Sequence, residues 1–226
     1  MVMKQIFVMG GGGFTSDSRL KLERYLISLS HKQNPKICFL PQASNESRDY
    51  IVKFYQSFLE LGAQPSWLSL FGNVQDGWEE KLLSQDIIYV GGGNTRSMLA
   101  LWREWGVDKV LREAYERGIV LSGLSAGMLC WFEWGITDSV KPLGFVQGLG
   151  LLSGTGCPHY DTEPDRPPFF EASVNAEKIP SGYALYDCTG AHFIDGAFYK
   201  SVKSDADKKV LFVAKDELSV VDTELL

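Results

Sequence analysis

Hydrophobic and polar residues in the first half of the chain alternate between short apolar runs and longer segments with apolar residues three or four positions apart. The short runs predict strands, and the longer segments predict amphipathic helices. The predicted strands are residues 5–9, 36–40, 66–70, 87–90 and 119–122, and the predicted helices are residues 18–30, 47–61, 78–83, 97–105 and 108–117. This order predicts an α/β fold with a mostly parallel sheet flanked by helices.

The second half of the chain changes character after residue 136. Short apolar runs between frequent turn residues predict strands at 145–152, 183–185, 191–194, 210–213 and 218–221, several of them antiparallel, and no long helix. Residues 162–170 contain three prolines and three charged residues, which predicts a surface loop. No linker or repeat interrupts the sequence, so we expect residues 1–226 to form a single domain.

Composition and charge narrow the class of protein. The 226 residues are 45% hydrophobic, which is enough for one domain with a sizeable core. The net charge of −6 comes without a basic face, so nucleic acid is not an expected partner. No apolar run reaches transmembrane length and the N-terminal apolar stretch is short for a signal peptide, so no membrane partner is expected. Four cysteines without C-x-x-C spacing indicate a reduced, cytoplasmic protein.

The strongest chemical signal is Gly123-x-Ser125-x-Gly127, between the predicted strand at 119–122 and a helix-like segment at 126–132. Glycines at these positions permit a sharp strand-to-helix turn that exposes the serine hydroxyl above the carboxyl end of the sheet. The backbone amide of Ala126 would then face the position where an oxyanion forms. Ser125 is therefore a candidate nucleophile. The alternative is a tight turn whose small residues only allow close packing.

A serine nucleophile requires a base, and the chain contains three histidines. His159 is the favoured base, because it lies in a short loop after a predicted strand and that loop is stiffened by Pro158. The alternative is a loop histidine bonded to a backbone carbonyl. His192 alternates with apolar residues in a predicted strand, which indicates a surface or sheet-face role. His31 closes the first predicted helix.

The base in turn requires an acid that fixes its tautomer, and four carboxylates are candidates. Asp187 follows a predicted strand, and Asp138 comes just after the helix that follows Ser125. Asp161 and Glu163 are more typical of solvated loop groups. Spacing alone does not choose between Asp187 and Asp138.

Two glycine-rich turns follow predicted strands, at residues 10–13 and 91–93. The amide of Gly92 or Gly93 could be the second oxyanion donor, or these glycines could cradle a phosphate. A dinucleotide site needs G-x-G-x-x-G and an acid at the end of the second strand. The chain has Thr15 and Pro41-Gln42 at these places, so no nucleotide cofactor is expected.

Two further sites use His159. The spacing His159-x-Asp161-x-Glu163 contains metal-ligand types but lacks a second histidine at zinc spacing, so no metal is expected. A Cys157–His159 pair could form a thiol nucleophile, but this would leave the serine turn without a role. Cys130 falls in the helix after Ser125 and is expected in the core.

Three motifs in this order resemble one known family. Gly91-Gly-Gly-Asn-Thr95, Gly123-Leu-Ser-Ala-Gly127 and Cys157-Pro-His-Tyr160 together look like the peptidase E (α-aspartyl dipeptidase) and cyanophycinase family of serine peptidases. The resemblance implies a fold like that of class I glutamine amidotransferases, with serine in place of cysteine, and no cofactor. It also implies a triad in which the nucleophile falls on Ser125, the base on His159 and the acid on Asp187. Asp138 falls on a further acidic position of the family, as a supporting or alternative acid.

One departure from the family concerns selectivity. Dipeptidase members carry an arginine-rich helix after the histidine, expected to help select an N-terminal aspartate, and this chain lacks it. Arg166 is the only arginine after His159, so we expect Arg166 and Asn94 as pocket residues and little preference for aspartate. The resulting interpretation is a serine peptidase that acts on a short peptide or isopeptide-like amide. The alternative is a non-catalytic module of the same fold that binds a small anion.

Overall fold

The computed structural model of the protein describes residues 2–72 and 74–226. The strands are β1 (Gln5–Met9), β2 (Lys36–Leu40), β3 (Gln64–Trp67), β4 (Ile87–Val90), β5 (Val120–Leu124), β6 (Phe132–Thr137), β7 (Gly144–Gln147), β8 (Leu152–Cys157), β9 (Gly182–Leu185), β10 (Thr189–Ile194), β11 (Ala197–Lys203), β12 (Val210–Ala214), β13 (Glu217–Val221) and β14 (Thr223–Leu225). The helices are α1 (Lys21–Ser28), α2 (Arg48–Glu60), α3 (Trp78–Leu83), α4 (Thr95–Trp105), α5 (Val107–Glu116), α6 (Ala126–Leu129) and α7 (Arg166–Asn175).

The strands in the described residues form two sheets. The larger sheet has eight strands in the order β14-β11-β10-β1-β5-β4-β2-β3. Its strands β1, β5, β4, β2 and β3 are parallel, whereas β10 pairs antiparallel with β1. Because the carboxyl ends of neighbouring parallel strands meet at one edge of a sheet, the turns after β1, β4 and β5 lie side by side.

The smaller sheet is mixed and comes from the second half of the chain. Its six strands have the order β13-β12-β9-β8-β6-β7. Strand β8 is parallel to both β6 and β9, and the outer pairs are antiparallel. The carboxyl ends of β8 and β9 therefore lie next to each other, and the segments after them carry His159 and Asp187.

Apolar residues cover both faces of the larger sheet. On one face Phe39 of β2 stacks on Phe54 of α2 with a ring-centroid distance of 4.4 Å. On the other face, one continuous core contains buried residues from β1, β4 and α4 together with Phe132 and Leu152 of the smaller sheet. This shared core fixes the two sheets relative to each other, and with them the segments that follow their strands.

The predicted fold class is confirmed, because a mostly parallel sheet lies between helices and the C-terminal half contains antiparallel strands. Four predicted elements have the observed bounds, namely β1, β2, α3 and β4. In all of these except α3, the apolar run is bounded by glycine, proline or charged residues that mark its ends. Among the described residues, no helix has the length and apolar character needed to cross a bilayer.

Three predictions for the second half are wrong in detail. Residues 145–152 form parts of two strands, because the chain turns at 148–151 between β7 and β8. The segment 126–132 is helical only to Leu129 and then enters β6, since a short apolar run suits a helix or a strand equally. The loop at 162–170 becomes helix α7 from Arg166, and two of its three prolines, Pro167 and Pro168, lie in the first turn, where backbone N–H groups lack helical partners.

Candidate active site

Ser125 occupies a sharp turn between β5 and α6. Its backbone has φ 55° and ψ −113°, a conformation that is costly for a residue with a Cβ. Its N–H donates to Met9 O at 3.2 Å, which anchors the turn to the end of β1. A Cβ on Gly123 would lie 2.6 Å from Gly127 O, and a Cβ on Gly127 would lie 2.1 Å from Val90 O. Both glycines are therefore required by close backbone packing around the serine.

His159 lies directly behind the Ser125 hydroxyl. Its Nε2 is 2.9 Å from Ser125 Oγ, and its Nδ1 is 2.7 Å from Asp187 Oδ1. The residue has φ 53°, and its N–H donates to Gly10 O at 3.3 Å. The three side chains therefore form one hydrogen-bonded chain from a hydroxyl, through an imidazole, to a carboxylate.

Several groups hold the Asp187 carboxylate in its ionised form. Burial, the largest single influence, would raise its pKa, but the hydrogen bond and charge of His159 together with Thr162 and Lys208 outweigh burial, so the pKa lies below its ordinary value. Thr162 Oγ1 donates to Asp187 Oδ2 at 3.2 Å. An ionised carboxylate requires the proton on His159 Nδ1, so Nε2 of the neutral ring accepts from the Ser125 hydroxyl.

The Asp187 main chain is hydrogen-bonded as well as its side chain. Its N–H donates to Asp161 Oδ1 at 2.8 Å, and Asp161 Oδ2 pairs with Lys208 Nζ at 2.6 Å. The sequence suggested that Asp161 is a solvated loop group, but it instead links Asp187 to Lys208. A short-range sequence pattern could not reveal this, because the two contacts join residues 26 and 47 positions apart.

The end of β1 and the turn after it form a common floor for this chain of residues. Successive carbonyls of this segment, Met9 O, Gly10 O and Gly11 O, accept from the N–H groups of Ser125, His159 and Cys188. A Cβ on Gly11 would lie 2.1 Å from Asp187 Oδ1 and 2.4 Å from His159 Cε1. The imidazole and the carboxylate therefore pack directly on the bare backbone of Gly11.

A buried carboxylate supports this turn from below. Glu23 of α1 is 0% exposed, and its Oε1 accepts the Phe14 N–H at 2.6 Å. Its Oε2 has no hydrogen-bond partner among the described residues. Burial raises the pKa of Glu23 to about 7, although the bond from Phe14 acts in the opposite direction.

The predicted oxyanion donors surround Ser125, but they are not equivalent. The Gly92 N–H donates to Tyr50 Oη at 3.2 Å. The N–H groups of Gly93 and Ala126 have no backbone or side-chain acceptor within residues 2–72 and 74–226. A Cβ on Gly92 would lie 3.3 Å from Ser125 Cβ, so this turn reaches the serine. The oxyanion role of all three residues stays a prediction, and Gly93 and Ala126 are the amides whose hydrogens have no competing acceptor in the described part of the chain.

This geometry can be compared with known proteins. The sequence model of peptidase family S51 matches residues 6–201. The chain belongs to peptidase family S51. The resemblance to the peptidase E family is thereby confirmed, and membership makes the protein a peptidase in the broad sense.

Sequence relatives agree with this family, and a solved structure agrees with the fold. The uncharacterized peptidase YgaJ of Bacillus subtilis (strain 168) is 44% identical over 224 residues, which are 99% of this chain and 97% of that protein. The uncharacterized peptidase PM1590 of Pasteurella multocida (strain Pm70) is 31% identical over 67% of this chain and 74% of that protein. A crystal structure of a peptidase from an acI-B1 Actinobacterium has a TM-score of 0.70 at 17% identity and covers 96% of this chain and 97% of its own, which supports the fold.

Two other residues predicted for the site, Arg166 and Asp138, contact each other rather than the triad. Arg166 is 2% exposed; it donates to Glu163 Oε2 at 2.6 Å and Ile136 O at 2.7 Å, and lies 3.6 Å from Asp138 Oδ1. Its guanidinium therefore faces protein groups, and the predicted pocket role of Arg166 has no support in these contacts. Asp138 contacts Arg166 rather than His159, because Asp187 already occupies the position beside Nδ1.

Asn94 caps helix α4. Its Oδ1 accepts the Ser97 N–H at 2.9 Å, and its Nδ2 donates to Ser139 O at 3.2 Å. Both ends of the amide thus have partners in the fold. The predicted pocket role of Asn94 has no support in these contacts.

The other histidines and cysteines considered from the sequence have surroundings that do not suit a catalytic role. His192 is 2% exposed, its Nδ1 is 2.9 Å from Tyr25 Oη, and burial lowers its pKa to about 4. The Cys157 thiol is fully buried, and burial raises its pKa to about 12, so it is not a thiolate partner for His159. Cys130 is buried in the core, as expected. His31 is exposed after α1.

A cleft of about 540 Å³ opens beside Thr162, the residue that bonds Asp187. Its apolar wall contains Leu143 and Phe169, and its polar lining contains Lys141 and three carboxylates. Thr162 both lines the cleft and donates to Asp187 Oδ2, so the cleft adjoins the Asp187 end of the hydrogen-bonded chain. No group of three or more His, Cys, Asp or Glu side chains in the described ranges is arranged to hold a metal ion.

Proposed function

We propose that the protein is a serine peptidase or amidase that hydrolyses a short peptide or isopeptide-like amide through an acyl-enzyme intermediate. The observation that carries the proposal is the hydrogen-bonded chain from Ser125 Oγ through His159 to Asp187, with distances of 2.9 Å and 2.7 Å. This is the arrangement that activates a hydroxyl, because the imidazole can take its proton and the carboxylate stabilises the resulting cation. Membership of a peptidase family supports the same reaction class.

The reaction follows from the orientation of the imidazole. Ser125 Oγ attacks the amide carbonyl carbon while its proton passes to His159 Nε2. The tetrahedral intermediate collapses when His159 returns this proton to the leaving amine, which departs and leaves an ester on Ser125. Water then attacks the ester, with His159 again acting as the base. The carboxylic acid product is released, and the Ser125 hydroxyl is regenerated. Asp187 stays ionised throughout and stabilises the imidazolium.

The negative charge that develops on the carbonyl oxygen needs donors in fixed positions. We assign this role to the N–H groups of Ala126 and Gly93. Gly92 lies in the same turn as Gly93, and its own N–H donates to Tyr50 Oη. Fixed backbone amides do not have to reorient during the reaction, which is why they are effective at this step. Loss of one such donor costs about 10²–10³-fold in kcat in serine peptidases.

The walls of the cleft set the expected substrate class. Arg166 would be the natural clamp for a substrate carboxylate, but its guanidinium is buried against Glu163 and Ile136 O. Without a bidentate guanidinium, selection of an acidic side chain loses its strongest group. We therefore assign the protein to short peptides with neutral or apolar residues, which the apolar wall beside Phe169 can contact.

A fluorophosphonate probe tests the nucleophile directly, because only an activated serine reacts with it. We expect one adduct per chain in the wild type, observed by intact mass, and none in Ser125→Ala. Ser153→Ala, which removes an exposed serine of β8, is the matched control and should react like the wild type. His159→Ala should slow labelling at least a hundredfold.

The same experiment distinguishes the other reading of the fold. A small-molecule binding module without catalysis would leave Ser125 unlabelled even though the protein is folded. Equal labelling of the wild type and Ser125→Ala would place the reactive hydroxyl elsewhere. Either result would overturn the proposed function.

A further inference from the structure

Tyr50 touches the turn between β4 and α4 from inside the protein. It lies on α2, its ring stacks on Phe14 with a centroid distance of 5.4 Å, and it meets Phe39 edge-on at 5.1 Å. A Cβ on Gly91 would lie 3.0 Å from Tyr50 Cε1 and from the Phe39 ring. The turn therefore rests directly on these two aromatic rings.

The Tyr50 hydroxyl also holds the turn in one orientation. Its oxygen accepts the Gly92 N–H at 3.2 Å. Without this acceptor, the half-buried Gly92 amide would lose the partner that the described residues give it, and an unpaired amide costs free energy. Any rotation that relieved this cost would also move the next peptide group, which carries the Gly93 N–H.

This orientation bears on catalysis because the turn is close to the nucleophile. A Cβ on Gly92 would lie only 3.3 Å from Ser125 Cβ. A Cβ on Gly93 would lie 2.2 Å from Ala43 O, so the turn is also confined on its other side. A small rotation about Gly92 would thus change where the Gly93 N–H points relative to Ser125 Oγ.

We propose that Tyr50 is a positioning residue of the active site, whose hydroxyl fixes the Gly92 amide and thereby aims the Gly93 N–H at the oxyanion. This inference rests on the proposed serine peptidase function. Tyr50 acts through the backbone and does not touch the substrate. Its effect is therefore expected in the transition state and only weakly in substrate binding.

A second tyrosine of the same aromatic cluster is a matched control. The Tyr89 ring lies 5.6 Å from Phe14 and 5.8 Å from Phe54, but its hydroxyl is buried without a hydrogen-bond partner among the described residues. Tyr50→Phe and Tyr89→Phe remove the same atom from the same cluster. Only the first removes a contact with the turn.

The test measures the kinetics, the labelling rate and the hydrogen exchange of the Gly92 amide in the two variants. For Tyr50→Phe we expect kcat on a neutral dipeptide to fall about tenfold to a hundredfold, with KM changed less than threefold and the fluorophosphonate labelling rate falling in parallel. Hydrogen exchange of the Gly92 amide should accelerate in this variant. Tyr89→Phe should keep kcat, KM and labelling within threefold of the wild type.

Three outcomes would overturn the inference. Tyr50→Phe could match Tyr89→Phe in kcat and labelling rate, or it could raise KM with kcat unchanged. It could also keep the Gly92 amide protected from exchange, a result that needs no activity measurement. An unlabelled wild type would instead remove the proposed function, so the two failures are separable.

Discussion

Substitution of Gly11 by alanine tests whether the backbone after β1 is the floor of the active site. The new Cβ would lie 2.1 Å from Asp187 Oδ1, 2.4 Å from His159 Cε1 and 2.5 Å from His159 Nδ1. Gly11 is not among the described residues with positive φ, so alanine meets no backbone strain there. The whole effect of the substitution should therefore come from contact with the two side chains.

The size of this effect follows from the overlap. A carbon atom normally stays about 3.4 Å or more from such neighbours, so the imidazole and the carboxylate must move by roughly 1 Å. Their backbone segments cannot move away from the turn to relieve this overlap, because the N–H groups of His159 and Cys188 are bonded to Gly10 O and Gly11 O. Since a displacement of 1 Å can cost about 10²-fold, we expect kcat/KM of Gly11→Ala to fall at least a hundredfold.

The assay compares kcat/KM and fluorophosphonate labelling with those of Gly144→Ala. A Cβ on Gly144 of β7 meets no atom of the described residues within 4 Å, so this control makes the same chemical change in open space and should stay within twofold of the wild type. Melting temperatures of both variants show whether the fold is kept. If Gly11→Ala retained more than a third of wild-type kcat/KM with an unchanged fold, the proposed packing of the triad on this turn would be refuted.

Three further predictions follow from named groups. Asp187→Asn should lower kcat/KM at least a hundredfold while Asp138→Asn stays within threefold, since only Asp187 contacts His159, and the reverse order would reassign the acid. The folded-state pKa of Glu23, about 7, lies above its ordinary 4.5, so the wild type loses stability as pH rises through this window, by up to about 3 kcal/mol. Glu23→Gln should flatten that pH dependence in urea unfolding, and parallel curves would refute the assignment. Asp-Leu should be cleaved no more than tenfold better than Ala-Leu, and a hundredfold preference would reveal a cationic clamp other than the buried Arg166.

The sequence predicted those parts of the site that depend on local backbone geometry. Gly123 and Gly127 mark a place where chains approach too closely for a Cβ, and the structure places Ser125 there in a strained turn. Pro158 marks the loop that holds His159. The acid was different, because spacing left Asp187 and Asp138 open and only the resemblance to a family favoured Asp187. Asp187 is the acid beside His159 because β9, the strand before Asp187, is the parallel neighbour of β8, the strand before His159. This pairing is a property of the assembled sheet, which spacing along the sequence does not reveal.

The groups that sequence reasoning missed all act between distant segments. Asp161 and Thr162 look like solvated loop residues, yet both bond Asp187 after the chain has crossed helix α7 and strand β9. Tyr50 lies inside an amphipathic helix whose apolar period explains it fully as a core residue. Its hydroxyl reaches the Gly92 N–H because β2 and β4 are neighbours and bring the turn after β4 over α2.

The glycine-rich turn at residues 10–13 shows how far a glycine pattern alone can predict a site. Clustered glycines indicate that something approaches the backbone closely, and an anion held by amide N–H groups is one such approach. In this protein the carbonyl groups are used instead, because Met9, Gly10 and Gly11 accept from the segments that carry Ser125, His159 and Asp187. The missing Cβ of Gly11 makes room for the protein's own imidazole and carboxylate. A glycine pattern thus predicts closeness, while the strand order of the folded sheet decides which groups come close.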